Sequence, residues 1–200
     1  MAGSLSYALQ LAQAYTWDQS HGYEMGGMGY PDFDCSGFVG RCLHEAGFNY
    51  PATHVGTLYM DSALLSAGFM KLPYSSSFVP QHGDIFVMNH GSNGHTFFYC
   101  ENIRAYTDAG ADSDNIGIVQ NAKVEASSSR GNTNPGDSRK NGTGAYWEVW
   151  SHAYYNLVDR NTYPNDSDTW VYRWPGGTTD GFFPMLAALL LYGWRIKHGC

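Results

Sequence analysis

A thiol acts as a nucleophile when its surroundings lower its pKa from about 8.5 and a base stands within hydrogen-bond reach. The chain has four cysteines, Cys35, Cys42, Cys100 and Cys200. They include no CxxC pair and no zinc-ligand spacing, so each is read from its own neighbours. By default a cysteine fills a core position. Cys42 fits that default, on the apolar side of a predicted helix. Cys35 differs, because it sits in Asp34-Cys35-Ser36-Gly37 at the predicted start of the same helix. Unpaired backbone N–H groups and the helix dipole favour a thiolate there. The small residues Ser36 and Gly37 leave room for a carbonyl to approach. The chemistry this arrangement would serve is acyl transfer.

The base is sought among eight histidines: His21, His44, His54, His82, His90, His95, His152 and His198. His95 opens a predicted strand directly after a glycine turn, in Gly94-His95-Thr96. A rigid strand holds an imidazole more closely than a loop does. His90 lies shortly before it, in the turn itself. Spacing alone leaves both open.

The elements that must carry these residues follow from periodicity. Leu5, Ala8, Leu9 and Ala12 recur at helical spacing and predict a first amphipathic helix over 4–15. Phe38, Val39, Cys42, Leu43 and Ala46 line one side of a second helix that begins at or just after Cys35, with Gly47 as its stop. A third helix is predicted over 57–67. The period then shortens. Residues 84–89 and 95–100 read as two strands joined by Gly91-Ser92-Asn93-Gly94, and 116–123, 147–150 and 170–174 read as further strands. Helices first and an antiparallel sheet second make an α+β fold.

Bulk properties narrow the class. The chain has 200 residues, 43% of them hydrophobic and 16% aromatic, which suits one domain with a substantial core. A formal net charge of −7 with only 11 Lys and Arg argues against a nucleic-acid partner. The N-terminal residues lack the basic start and apolar stretch of a signal peptide. The expected division is a catalytic domain over 1–175, a linker at 176–181 and an apolar, helical segment over 182–200.

Four blocks then combine. Gly22-Tyr23-Glu24-Met25-Gly26-Gly27, Asp34-Cys35-Ser36-Gly37-Phe38-Val39, Gly83-Asp84-Ile85-Phe86-Val87 and Gly94-His95-Thr96 resemble, in order and spacing, the NlpC-type cell-wall cysteine peptidases. Within that superfamily the likeness points to the bacteriophage peptidoglycan hydrolase branch. The resemblance implies a papain-like α+β fold, with the cysteine at a helix start packed against a sheet that carries the histidine. It implies Cys35 as nucleophile and His95 as base. Tyr23 matches the tyrosine that flanks the nucleophile and contacts substrate. Asp34 matches an acidic neighbour that supports the helix start or the substrate, and Ser36 joins that group.

The resemblance also implies a third polar residue, His, Asn or Gln, on the strand after the histidine strand, to orient the imidazole. Here the interval is lengthened by residues 104–115. The next predicted strand offers Gln120 and Asn121, which point to opposite faces. Asn121 is the expectation, because it matches the family's polar-then-Ala ending, with Gln120 as runner-up. The implied activity is cleavage of a peptide-stem amide bond in bacterial peptidoglycan, without metal or organic cofactor. Without a signal peptide, the implied route to the wall is release by a holin or carriage on a virion.

Other features are weighed against plainer readings. Asp108, Asp112 and Asp114 faintly echo a calcium loop, but no Glu completes it and a solvated acidic loop is expected. Trp147, Trp150, Trp170 and Trp174 could stack on glycan, although strand aromatics more often pack a core. The run 182–194 is too short to span a bilayer as a helix. It is expected to pack on the catalytic domain or to dock a partner or neighbouring domain rather than touch a membrane. A papain-like acyltransferase and a non-catalytic wall-binding domain of a phage tail are the competing functions. The first would need an acyl tunnel, and the second would be expected to lack the Cys or the His.

Overall fold

The computed structural model describes residues 3–17, 21–75, 77–90, 93–101, 103–106, 116–119, 122–127, 149–153 and 168–177. Helix α1 spans Leu5–Trp17 and α2 spans Cys35–Glu45. The third predicted helix opens as a 3-10 turn at Thr57–Tyr59 and continues as α3, Met60–Ser66. Gly47 and Gly68 follow α2 and α3 at positive φ, where their N–H groups close the last turns on His44 and Leu65.

Strands β1 (Met70–Pro73), β8 (Thr169–Arg173), β2 (Ile85–His90), β3 (Asn93–Cys100), β6 (Ala122–Ala126) and β7 (Val149–Ala153) form one antiparallel sheet in that spatial order. β4 (Ile103–Tyr106) and β5 (Ile116–Val119) pair separately. The strand expected over 116–123 is thus two strands in two sheets. Its second half, β6, lies against β3 with Phe98 opposite Val124 and Cys100 opposite Ala122. This register fixes what can reach His95.

Alternation along the strands separates two apolar layers. Ile85, Val87, Phe98, Cys100, Val124 and Tyr172 meet the faces of α1 and α2 that carry Leu5, Leu9, Phe38, Val39 and Leu43. On the other face Phe86, Met88, Phe97, Tyr99 and Val171 form a second cluster under Tyr74 and Phe78. Trp174 packs edge-on against Phe48 and beside Phe69, as strand aromatics commonly do. Trp147 and residues 178–200 lie outside the described residues, and so does the expected acidic loop.

One ion pair ties the end of β8 to the block that begins β2. Arg173 donates from Nε to Asp84 Oδ1 at 2.8 Å and from Nη2 to Oδ2 at 2.7 Å. Asp84 is 1% exposed and also accepts from the Gln81 N–H. Truncating Arg173 leaves a buried carboxylate without its cation, which costs more than the pair contributes. Arg173→Ala is expected to lose about 3 kcal/mol in urea unfolding. Arg173→Met combined with Asp84→Asn should recover much of it, and a single variant as stable as wild type would contradict this assignment.

Candidate active site

α2 starts at Cys35 because Asp34 caps it. Asp34 has extended backbone, with φ −97° and ψ 177°, and its Oδ1 accepts the Gly37 N–H at 2.6 Å. The buried carboxylate does more than cap. It accepts the Gly26 N–H at 2.8 Å and the Ser36 hydroxyl at 2.9 Å, and it holds His54 Nε2 at 2.7 Å. Asp34 therefore clamps the glycine-rich loop, the helix start and the loop carrying His54 around the thiol. The Gly27 carbonyl accepts the Asp34 N–H, and a Cβ on Gly37 would come within 1.9 Å of that carbonyl oxygen. Gly37 is small because the loop crosses the helix there.

Cys35 itself is 5% exposed, with Sγ 4.0 Å from the Gly94 carbonyl oxygen. Gly94 leads β3 directly into His95. The His95 ring is hydrogen-bonded to Cys35, and its Nε2 lies 2.8 Å from Glu125 Oε2. With Nε2 given to Glu125, the second ring nitrogen serves the sulfur. The His95 side chain is 17% exposed and that of Glu125 1%. Burial alone would lower the imidazole pKa. The Glu125 charge, the hydrogen bonds to Cys35 and Glu125, and the charge on Cys35 outweigh it, and raise the value from 6.5 to about 9. At neutral pH His95 is thus held as an imidazolium beside the sulfur.

Tyr23 completes the surround. It bridges to Phe33, packs on the core and is hydrogen-bonded to Cys35. Burial first, then the charges on Cys35 and Asp34, push its phenol well above the ordinary range, so it remains a protonated donor. A thiol, an imidazole whose pKa is raised by a buried carboxylate, and N–H donors at a helix N-terminus are groups that can together support acyl transfer.

The NlpC/P60 family profile matches residues 20–137, more than half of the chain and every residue of this site. The chain belongs to the NlpC/P60 family. No curated protein matches it significantly. The α+β papain-like arrangement expected from the sequence is the one observed.

Within this NlpC/P60 frame the sequence-predicted residues are placed unequally. Cys35, His95, Tyr23 and Asp34 converge. Ser36, expected to contact substrate, is buried, and its hydroxyl is committed to Asp34 and His54. The room expected at Gly37 is filled by Gly27. Other described histidine side chains are engaged elsewhere: His21 with the Pro31 carbonyl, His44 with the Tyr50 carbonyl and His82 with the Glu101 N–H. His90 ends β2 opposite Asn93.

Asn121, the expected orienting residue, and Gln120, the runner-up, lie outside the described residues. Of those described, Glu125 lies against the His95 ring, its Oε2 2.8 Å from Nε2. Ala122, next to Asn121, faces Cys100, at the opposite end of β3 from His95. A signal was available, since Glu125-Ala126 also ends polar-then-Ala. A glutamate departs from the His, Asn or Gln expected there. It adds charge where those residues supply a dipole or a second imidazole.

Proposed function

We propose that this chain is a peptidoglycan hydrolase that cuts an amide bond of the wall peptide stem through an acyl-enzyme on Cys35. Members of the NlpC/P60 family are cysteine peptidases and amidases acting on peptidoglycan. The observation that carries the reading is the His95 ring, bonded to Cys35 on one side and to buried Glu125 on the other.

In this scheme the thiolate attacks the stem carbonyl. The backbone N–H groups of Cys35 and Ser36 are the helix-start donors for the oxyanion, since that of Gly37 is taken by Asp34. The Tyr23 hydroxyl adds a neutral donor beside the sulfur. The His95 imidazolium gives its proton to the leaving amine, then takes one from the water that releases the acyl group. Glu125 keeps the ring oriented through both steps and stabilises it whenever it carries the proton, as the carboxylate of other triads does. The bond cut is either the one between N-acetylmuramic acid and L-alanine or one within the stem. The resemblance of the motif blocks to the phage branch supports a bacteriophage lysin, reaching the wall after holin release or on a virion. On this reading the segment 182–194, expected to pack on the catalytic domain or to dock a partner or neighbouring domain, takes no part in the chemistry.

Mass spectrometry of muropeptides from purified walls tests the proposal. Shortened stems with new amino termini are expected for an endopeptidase, and peptide-free glycan for an amidase. New glycan reducing ends with intact stems, or no products at all from folded enzyme, would overturn it.

A further inference from the structure

An ammonium taken out of water costs several kcal/mol unless it is partnered. Lys123 is 1% exposed, and among the described residues it is one of the largest fully buried side chains. It shares a strand face with Glu125. Its Nζ lies 3.6 Å from Glu125 Oε2, the oxygen that also holds the His95 ring, and 5.4 Å from the Phe97 centroid. Counted from Lys123 toward the nucleophile, the groups alternate in sign: ammonium, carboxylate, imidazolium, thiolate.

That order matters because the carboxylate is itself 1% exposed. Desolvation drives such a group toward its neutral acid. A neutral Glu125 would carry no charge to hold the imidazolium, and its O–H could turn away from the ring. We infer that Lys123 is a positioning residue for the Cys35–His95 pair, acting through Glu125: its ammonium keeps that carboxylate ionised and turned toward the ring. The inference rests on the reading of Cys35 and His95 as nucleophile and base. With Lys123 present, Lys123 and Glu125 balance, and moving the Cys35 proton to His95 creates a second balanced pair. Without it, the buried group carries a net negative charge before and after that transfer. That favours a neutral Glu125 and, with it, loss of the imidazolium that pairs with the thiolate. Among the described side chains, the titratable groups on the same face of β3 are Tyr99, directly opposite Lys123, and His95; on β7 the opposite register position is residue His152.

The test follows the pH dependence of Cys35 alkylation by iodoacetamide in the folded full chain, resolved by peptide mass spectrometry. It reads thiolate formation and needs no turnover, so it is independent of whether Cys35→Ala loses wall hydrolysis. Lys123→Met is expected to raise the alkylation midpoint by about one pH unit or more, and Lys123→Arg to stay close to wild type. In a Glu125→Gln background, Lys123→Met should add no further shift. A wild-type midpoint in folded Lys123→Met would overturn the inference. So would a shift of the same size in the Glu125→Gln background. Should Lys123→Met not melt cooperatively, the comparison of Glu125→Gln with Glu125→Gln/Lys123→Met, which removes both charges, decides alone. Coincident profiles support the route through Glu125, and separated ones refute it.

Discussion

Cys35→Ala is expected to abolish hydrolysis of wall peptide while the protein melts as a folded domain. The sulfur supplies the bond to the acyl group, and no described neighbour can replace it. Tyr23 is held protonated, and the Ser36 hydroxyl points into the Asp34–His54 cluster. Losing one sulfur atom at a 5% exposed site costs about 1 kcal/mol, too little to unfold a domain of ordinary stability. Cys42→Ala makes the control. Cys42 is wholly buried on α2, and burial pushes its thiol up, so it is an inert core group. Its removal should cost stability and leave the rate per folded molecule close to wild type. Rates on purified walls, with circular dichroism for the fold, check both. Wild-type clearing by Cys35→Ala would remove the nucleophile from the scheme.

The contrast between Cys35 and Cys42 was legible because helix periodicity and a capping Asp are local signals. The strand after a glycine turn that carries His95 was equally local, but its choice over His90 came from the resemblance of the motif blocks. The third residue was hidden by pairing, which is not local. Ile116–Val119 and Ala122–Ala126 both satisfy a strand pattern, and no Gly or Pro marks the break between them. Only the register of β6 on β3 shows that Glu125 comes alongside His95. Lys123 and Glu125 were misleading for a further reason. Charged residues normally mark the solvent face of a strand, and these two are buried because they satisfy one another and the imidazole. Gly37 carried a true signal with the wrong cause. Its missing side chain makes way for the protein's own loop.

The largest pH effect is expected from Glu125→Gln. In the wild type the imidazolium persists to about pH 9. The rate on soluble muropeptides should therefore hold through neutral pH and fall on the alkaline side, as the ring loses the proton it gives to the leaving amine. His95→Ala removes that proton carrier and should cost roughly 10²–10⁴-fold at the optimum. Glutamine at 125 keeps a hydrogen-bond acceptor for the ring but no charge. With burial opposing it, the imidazole should drop back toward or below its ordinary 6.5, and the alkaline fall should move to lower pH with it. Stability should change in step. The folded value lies above the unfolded one, so the stabilisation is complete below about pH 6.5 and is lost as pH rises through about 9. Urea midpoints for the wild type should decline across that window, and those of Glu125→Gln should be flatter. If the alkaline limbs of the two proteins coincide, the charge on Glu125 does not set the protonation of His95, and its role reduces to holding the ring in place.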